Sequence, residues 1–169
     1  MGKLNDLLRL VEDSEIFKGW KNKNNDSYLC AFFKYVGSTE NPEWQVHFYQ
    51  PKSDTITVFK IGAEIQIIEE NSAILKKDDT VQELNLDKAH VDFVDALNIS
   101  DEFRKDTYPN EIVIKRIVIL QKLKDIKCAI WNITCMTTSF NLLNTKIDAE
   151  SGQIIDESLK PLLKYGKEK

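Results

Sequence analysis

The chain has 169 residues, 42% of them hydrophobic and 30% charged, with six Gly, four Pro and a formal net charge of −4. This composition excludes collagen-like and disordered chains, and the length suffices for one compact domain or two small ones. No apolar run approaches the ~20 residues that cross a bilayer, and Met1-Gly2-Lys3-Leu4-Asn5-Asp6 lacks the apolar core of a signal peptide, so a cytoplasmic protein with no membrane partner is expected.

Residues 1–84 carry 10 Lys/Arg against 14 Asp/Glu, and residues 85–169 carry 13 against 13. Neither half offers a basic surface for phosphates, so no nucleic-acid partner is expected. Cys30, Cys128 and Cys135 are odd in number and each has apolar or β-branched neighbours. They read as buried reduced thiols, with no disulfide framework and no zinc site. Asn25-Asp26-Ser27, Asn98-Ile99-Ser100 and Asn132-Ile133-Thr134 match the glycosylation pattern, and with no secretion signal expected these matches are read as chance.

In chain order, Leu4, Leu7, Leu8 and Val11 fall at the spacing of a helix buried along one face. Tyr28 to Val36 is β-branched and aromatic, which favours a strand. Trp44, Val46 and Phe48 then alternate with Gln45, His47 and Tyr49, and Thr55 to Ile61 supplies a third strand. The order then recurs. His90, Phe93, Val94 and Leu97 form a second helical stripe, with Asn85 and Asp87 as candidate N-caps. Ile112 to Leu120, a strand around Trp131, Ile133 and Cys135, and Leu142 to Ile147 follow it.

This recurrence extends to residue identities. Asp6-Leu7-Leu8 and Asp92-Phe93-Val94 correspond at a spacing of 86, Trp44-Gln45-Val46 and Trp131-Asn132-Ile133 at 87, and Lys60-Ile61 and Lys146-Ile147 at 86 again. Single-residue loop insertions account for the change in spacing. The expectation is an α+β protein made of two αβββ repeats with antiparallel sheets, residues 1–84 and 85–169, packed as one compact unit. Trp44 and Trp131 should occupy equivalent inward positions in the repeat cores.

Lys146-Ile147-Asp148-Ala149-Glu150-Ser151-Gly152-Gln153-Ile154-Ile155 resembles the end of a PepSY domain, in which a strand closes on Asp-Ala, any residue, Thr or Ser, Gly, then Glu or Gln and two aliphatics. The likeness covers residues 85–157 and extends more loosely over residues 1–70, where Ile61-Gly62-Ala63-Glu64 has lost the Asp and displaced the Gly. The motif suits a structural turn. Asp148 can accept from backbone N–H groups, and Gly152 can take a positive φ. The resemblance implies binding or restraint of peptidases, or an accessory role, and brings no catalytic residue.

Little else points to chemistry. The chain has two histidines, His47 and His90, and no HExxH helix, Gly-rich phosphate loop or nucleophile elbow. His90 reads as a boundary residue of the second helix, and His47 as facing solvent or a polar groove. Glu69-Glu70 and Asp78-Asp79 read as solvated turns. Tyr28 to Val36 is apolar on both strand faces, which calls for cover on both sides. The other repeat or a partner can supply that cover, and contact with the other repeat, where Ile112 to Leu120 is similarly two-sided apart from Lys115 and Arg116, is the simpler source. The expected function is a non-catalytic binding or regulatory module with no cofactor and no metal, acting on a protein partner. A partner-inhibiting protein, of immunity or peptidase-inhibitor type, is an alternative. A small hydrolase or isomerase is another, and it would need a polar cavity around His47 or His90.

Overall fold

The computed structural model describes residues 2–37, 43–73 and 81–162. It begins with α1 (Gly2–Glu12), whose apolar stripe buries Leu4 and Val11. The chain turns at Asp13 and Ser14 into α2 (Glu15–Lys23). Ser14 Oγ caps this helix by accepting from Phe17 N at 3.2 Å, supplying a partner for one of the donors that a helix start leaves free. Helix α2 buries Phe17 and Trp20, worth roughly 1.5–3 kcal/mol for a side chain such as Phe17.

Strands β1 (Tyr28–Gly37), β2 (Trp44–Gln50), β3 (Thr55–Ile61) and β4 (Ile65–Ala73) follow as an antiparallel meander. A connector rich in buried Leu84 and Leu86 leads to α3 (Phe93–Thr107). A second meander follows, of β5 (Val113–Lys122), β6 (Ala129–Thr137), β7 (Asn141–Asp148) and β8 (Ile154–Pro161). β1 and β5 pair antiparallel, so all eight strands form one sheet in the order β4-β3-β2-β1-β5-β6-β7-β8. The molecule is therefore α+β with an antiparallel sheet.

Because side chains alternate along a strand, the register divides the sheet into two unlike faces. One row crosses all eight strands as Ile67, Phe59, Val46, Phe32, Leu120, Trp131, Ile147 and Ile154. This wholly apolar row belongs to the face covered by the helices. Phe17 of α2 packs on Phe48 and Phe59 with ring centroids 4.9 and 5.3 Å away, and Phe93 of α3 lies 5.0 Å from Trp44 and 6.1 Å from Trp131. Trp44 and Trp131 both point into this core, and Trp131 Nε1 donates to Val91 O at 2.9 Å. A buried indole N–H needs such a partner.

Several expectations require correction. Each half has four strands where three were expected. Gln66 to Glu70 lies in β4, and Ile154 to Glu157 lies in β8. Both are edge strands, and the charges that blunt an edge also hide its alternation. The first half also has two helices. The second helical stripe starts later than expected. Asp92, not Asn85 or Asp87, is the N-cap of α3, accepting from Asp95 N at 2.9 Å. Asn85 Oδ1 instead receives the N–H of Asp87 within the connector. His90 consequently lies before the helix and is exposed. Finally, β1 and β5 lie edge to edge, so neither half covers the second apolar face of the other.

Candidate functional site

The residue row next to the apolar one points to the opposite face. It runs Gln66, Lys60, Gln45, Phe33, Ile119, Asn132, Lys146 and Asp156 across the eight strands. Its middle is apolar and both flanks are polar. One step along the strands, Tyr35 pairs with Ile117, and Ile117 with Thr134. Among the described residues, no helix lies on this face, because all three helices pack on the other. Tyr35 is 46% exposed, high for a large aromatic residue on a central strand. Phe33 meets its ring edge-on at 4.8 Å.

The polar flanks are internally organised. Asn144 Nδ2 donates to Asn132 Oδ1 at 2.6 Å and to Thr134 Oγ1 at 2.9 Å, and Lys146 Nζ pairs with Asp156 Oδ2 at 2.5 Å. On the other flank Lys60 Nζ reaches Glu43 Oε2 at 2.9 Å. His47 is half-buried here, with its ring stacked on Phe33 at 5.8 Å and Nε2 lying 3.4 Å from Gln45 Oε1. Burial pushes the imidazole down to about 4, against a smaller upward pull from Glu69, so the ring is neutral at neutral pH. The Cys30 thiol donates to His47 O at 3.3 Å, and burial raises it to about 12. A thiol so far from ionisation is a poor nucleophile.

The other residues singled out by sequence lie elsewhere. Asp148 Oδ1 accepts from Glu150 N at 2.7 Å and Ser151 N at 3.3 Å, in the turn between β7 and β8. Burial alone would raise its carboxyl. The amides of Glu150 and Ser151, with the Cys128 thiol and the Ser151 hydroxyl, together hold it below its ordinary value. Gly152 has φ +77°, in the left-handed region. Cys30, Cys128 and Cys135 are all free thiols; Cys30 and Cys135 are buried, but Cys128, expected to be buried, is only half-buried because it lies just before β6 and outside the core. Among the described residues, no three His, Cys, Asp or Glu side chains come together as a metal site.

The second apolar face of Tyr28 to Val36, expected to meet the other half or a partner, forms the half-buried centre of the helix-free face, with Tyr35 exposed. One feature was not foreseen from the sequence: an ionic cluster at the C-terminal half of α3, where Arg116 Nη2 meets Asp101 Oδ1 at 2.6 Å and Arg104 Nε lies 3.8 Å from the same oxygen. Arg116 sits at a core-facing position of β5. Only the register, which pairs it with Val36 and Cys135, discloses that placement.

No protein-family model matches the chain, and no curated protein sequence matches it. A crystal structure described as that of a "putative lipoprotein" from Clostridium difficile 630 is similar in fold. The likeness has a TM-score of 0.50 and 16% sequence identity, and it covers 86% of this chain and 91% of that one. At this identity the likeness concerns fold alone. No described helix of this chain is long and apolar enough to cross a membrane.

Proposed function

We propose that this protein is a non-catalytic binding module that docks a protein partner on the helix-free face of its sheet. The observation that carries this reading is the row with Phe33 and Ile119 at its centre and polar residues on both sides, next to the exposed Tyr35. An apolar centre with an aromatic anchor and a polar rim is the usual anatomy of a protein interface. The neutral His47 ring and the un-ionised Cys30 thiol, lying against each other's strands, favour packing over acid–base or nucleophilic work. Inhibition of the bound partner is the narrower form of the same reading, as is the peptidase-directed role that the PepSY likeness implies. A cytoplasmic site of action belongs to the proposal and draws on the three free thiols.

The same proposal takes the chain as two PepSY-like repeats. Support comes from the register. Trp44 pairs with Ile61 and Trp131 with Ile147, while Gln45 and Lys60 lie in one row with Asn132 and Lys146, on opposite sides of the Phe33–Ile119 pair. Among the described residues, two that are not glycine have left-handed backbone, Asp54 with φ 55° and Phe140 with φ 56°, each just before β3 or β7 and 86 positions apart. Between β2 and β3 the loop has one residue more than its counterpart between β6 and β7, which accounts for the fall in spacing from 87 to 86.

Affinity capture on immobilised protein tests the docking reading. The wild type and a Glu102→Lys variant on the outer side of α3 should retain the same partner, and Tyr35→Asp should lose it. Equal retention by Tyr35→Asp would overturn the reading.

A further inference from the structure

On the helix side of the sheet, at the seam between the two halves, α1, α2 and the connector enclose a cavity of about 710 Å³ that opens to solvent. Its volume is in the range of ligand pockets, roughly 300–1,000 Å³. Phe17, Phe48, Leu29 and Leu84 form a small apolar floor, and the walls above it are mostly polar. Leu84 N donates to Leu29 O at 2.9 Å, which fixes the connector wall to β1.

The charged groups around this lining are opposite in sign and do not pair. Glu12 projects from α1, Lys21 from α2 and Lys122 from the end of β5. The Lys21 ammonium donates to Ser27 O at 2.6 Å and Ser27 Oγ at 3.0 Å, so it is tied to the wall and closes no ion pair with Glu12. Among the described residues Glu12 and Lys122 close no ion pair either. Burial, with the neighbouring Asp13, holds the Glu12 carboxyl above its ordinary value, and Lys21 offsets this only in part. Glu12 is largely exposed, so this cost is small, and its unpaired charge is what would attract a cation delivered beside it. Glu83 and Asp87 on the connector make the rim net acidic. A phosphorylated ligand or a fatty acid would therefore be repelled, while a purely cationic ligand would leave Lys122 unmatched.

We infer that this cavity binds a small apolar zwitterion of the short-peptide class, with its ammonium at Glu12, its carboxylate at Lys122 and its side chains on the Phe17–Leu84 lining. The inference goes beyond the docking reading and does not depend on it, since the cavity and the helix-free face lie on opposite sides of the sheet.

Calorimetric titration of the full chain with the dipeptide leucyl-phenylalanine tests it, alongside the same dipeptide acetylated at its N-terminus and amidated at its C-terminus. Saturable binding of the free dipeptide is expected, weakened about tenfold or more by capping, because each lost charge-assisted hydrogen bond costs about that factor. Glu12→Gln and Lys122→Met should each weaken it about tenfold, with unchanged circular dichroism. Tyr35→Asp should leave it unaltered, which separates this site from the partner surface. Equal affinity for free and capped dipeptide, insensitivity to both cavity variants, or no saturable binding at millimolar dipeptide would overturn the inference.

Discussion

At Gly152 two constraints coincide. Its φ of +77° is one that side-chain-bearing residues rarely adopt, and a Cβ there would sit 3.3 Å from Ile99 Cδ1 and 3.6 Å from Val91 Cγ2. Gly152→Ala should therefore cost about 1–2 kcal/mol and Gly152→Val more, measured by urea unfolding. An unchanged midpoint for both would show that the turn relaxes without it. His47 makes a different demand, because its folded-state pKa of about 4 lies below the ordinary 6.5. The unfolded chain takes up the proton first as pH falls. The stability gained from burying a neutral ring is thus complete above pH 6.5 and is lost as pH drops from there towards 4. Across that window the loss should reach up to about 3 kcal/mol in the wild type and be smaller in His47→Gln. Identical pH profiles for the two proteins would refute the assignment.

Among the elements, α3 is held differently from α1 and α2. The first-half helices rest on Phe17, Trp20, Phe48 and Phe59, whereas α3 buries Ala96 and Ser100 and lies over the Asp101, Arg104 and Arg116 cluster. Asp101 is the only carboxylate among these three. Asp101→Ala should therefore cost about 2–3 kcal/mol, more than Arg116→Met, since removing the shared anion leaves two largely buried guanidinium groups uncompensated. Urea denaturation of both variants checks the order, and a larger loss from Arg116→Met would contradict it. The same contrast explains how much of these elements could be read from sequence. The α1 stripe and the Trp44 to Phe48 alternation were legible because one face is buried and the period is clean, whereas Thr55 to Ile61, buried on both faces at its centre, was legible only from its β-branched composition. β4 and β8 were not, because an edge strand pairs on one side and carries Glu69 and Glu70, or Asp156 and Glu157, on its surface. α3 was placed too early because its helical spacing continues backward through His90, while the chain at that point is held by Val91 N donating to Ala149 O.

Among the described residues the molecule is one sheet with its helices on one side, and this arrangement gives the other side its meaning. Sequence showed that β1 and β5 are apolar on both faces, but edge-to-edge pairing could not be read from it, because strand register depends on contacts between distant segments. That pairing sets Phe33, Tyr35, Ile117 and Ile119 side by side with no described helix above them. A photo-crosslinking benzoylphenylalanine at position 35, with position 102 on α3 as the control, tests the docking claim most directly in source-cell extract. The account predicts a discrete adduct from position 35, competed away by untagged wild-type protein and absent from position 102. Adducts from position 102 without any from position 35, or a species of twice the chain's own mass, would contradict it.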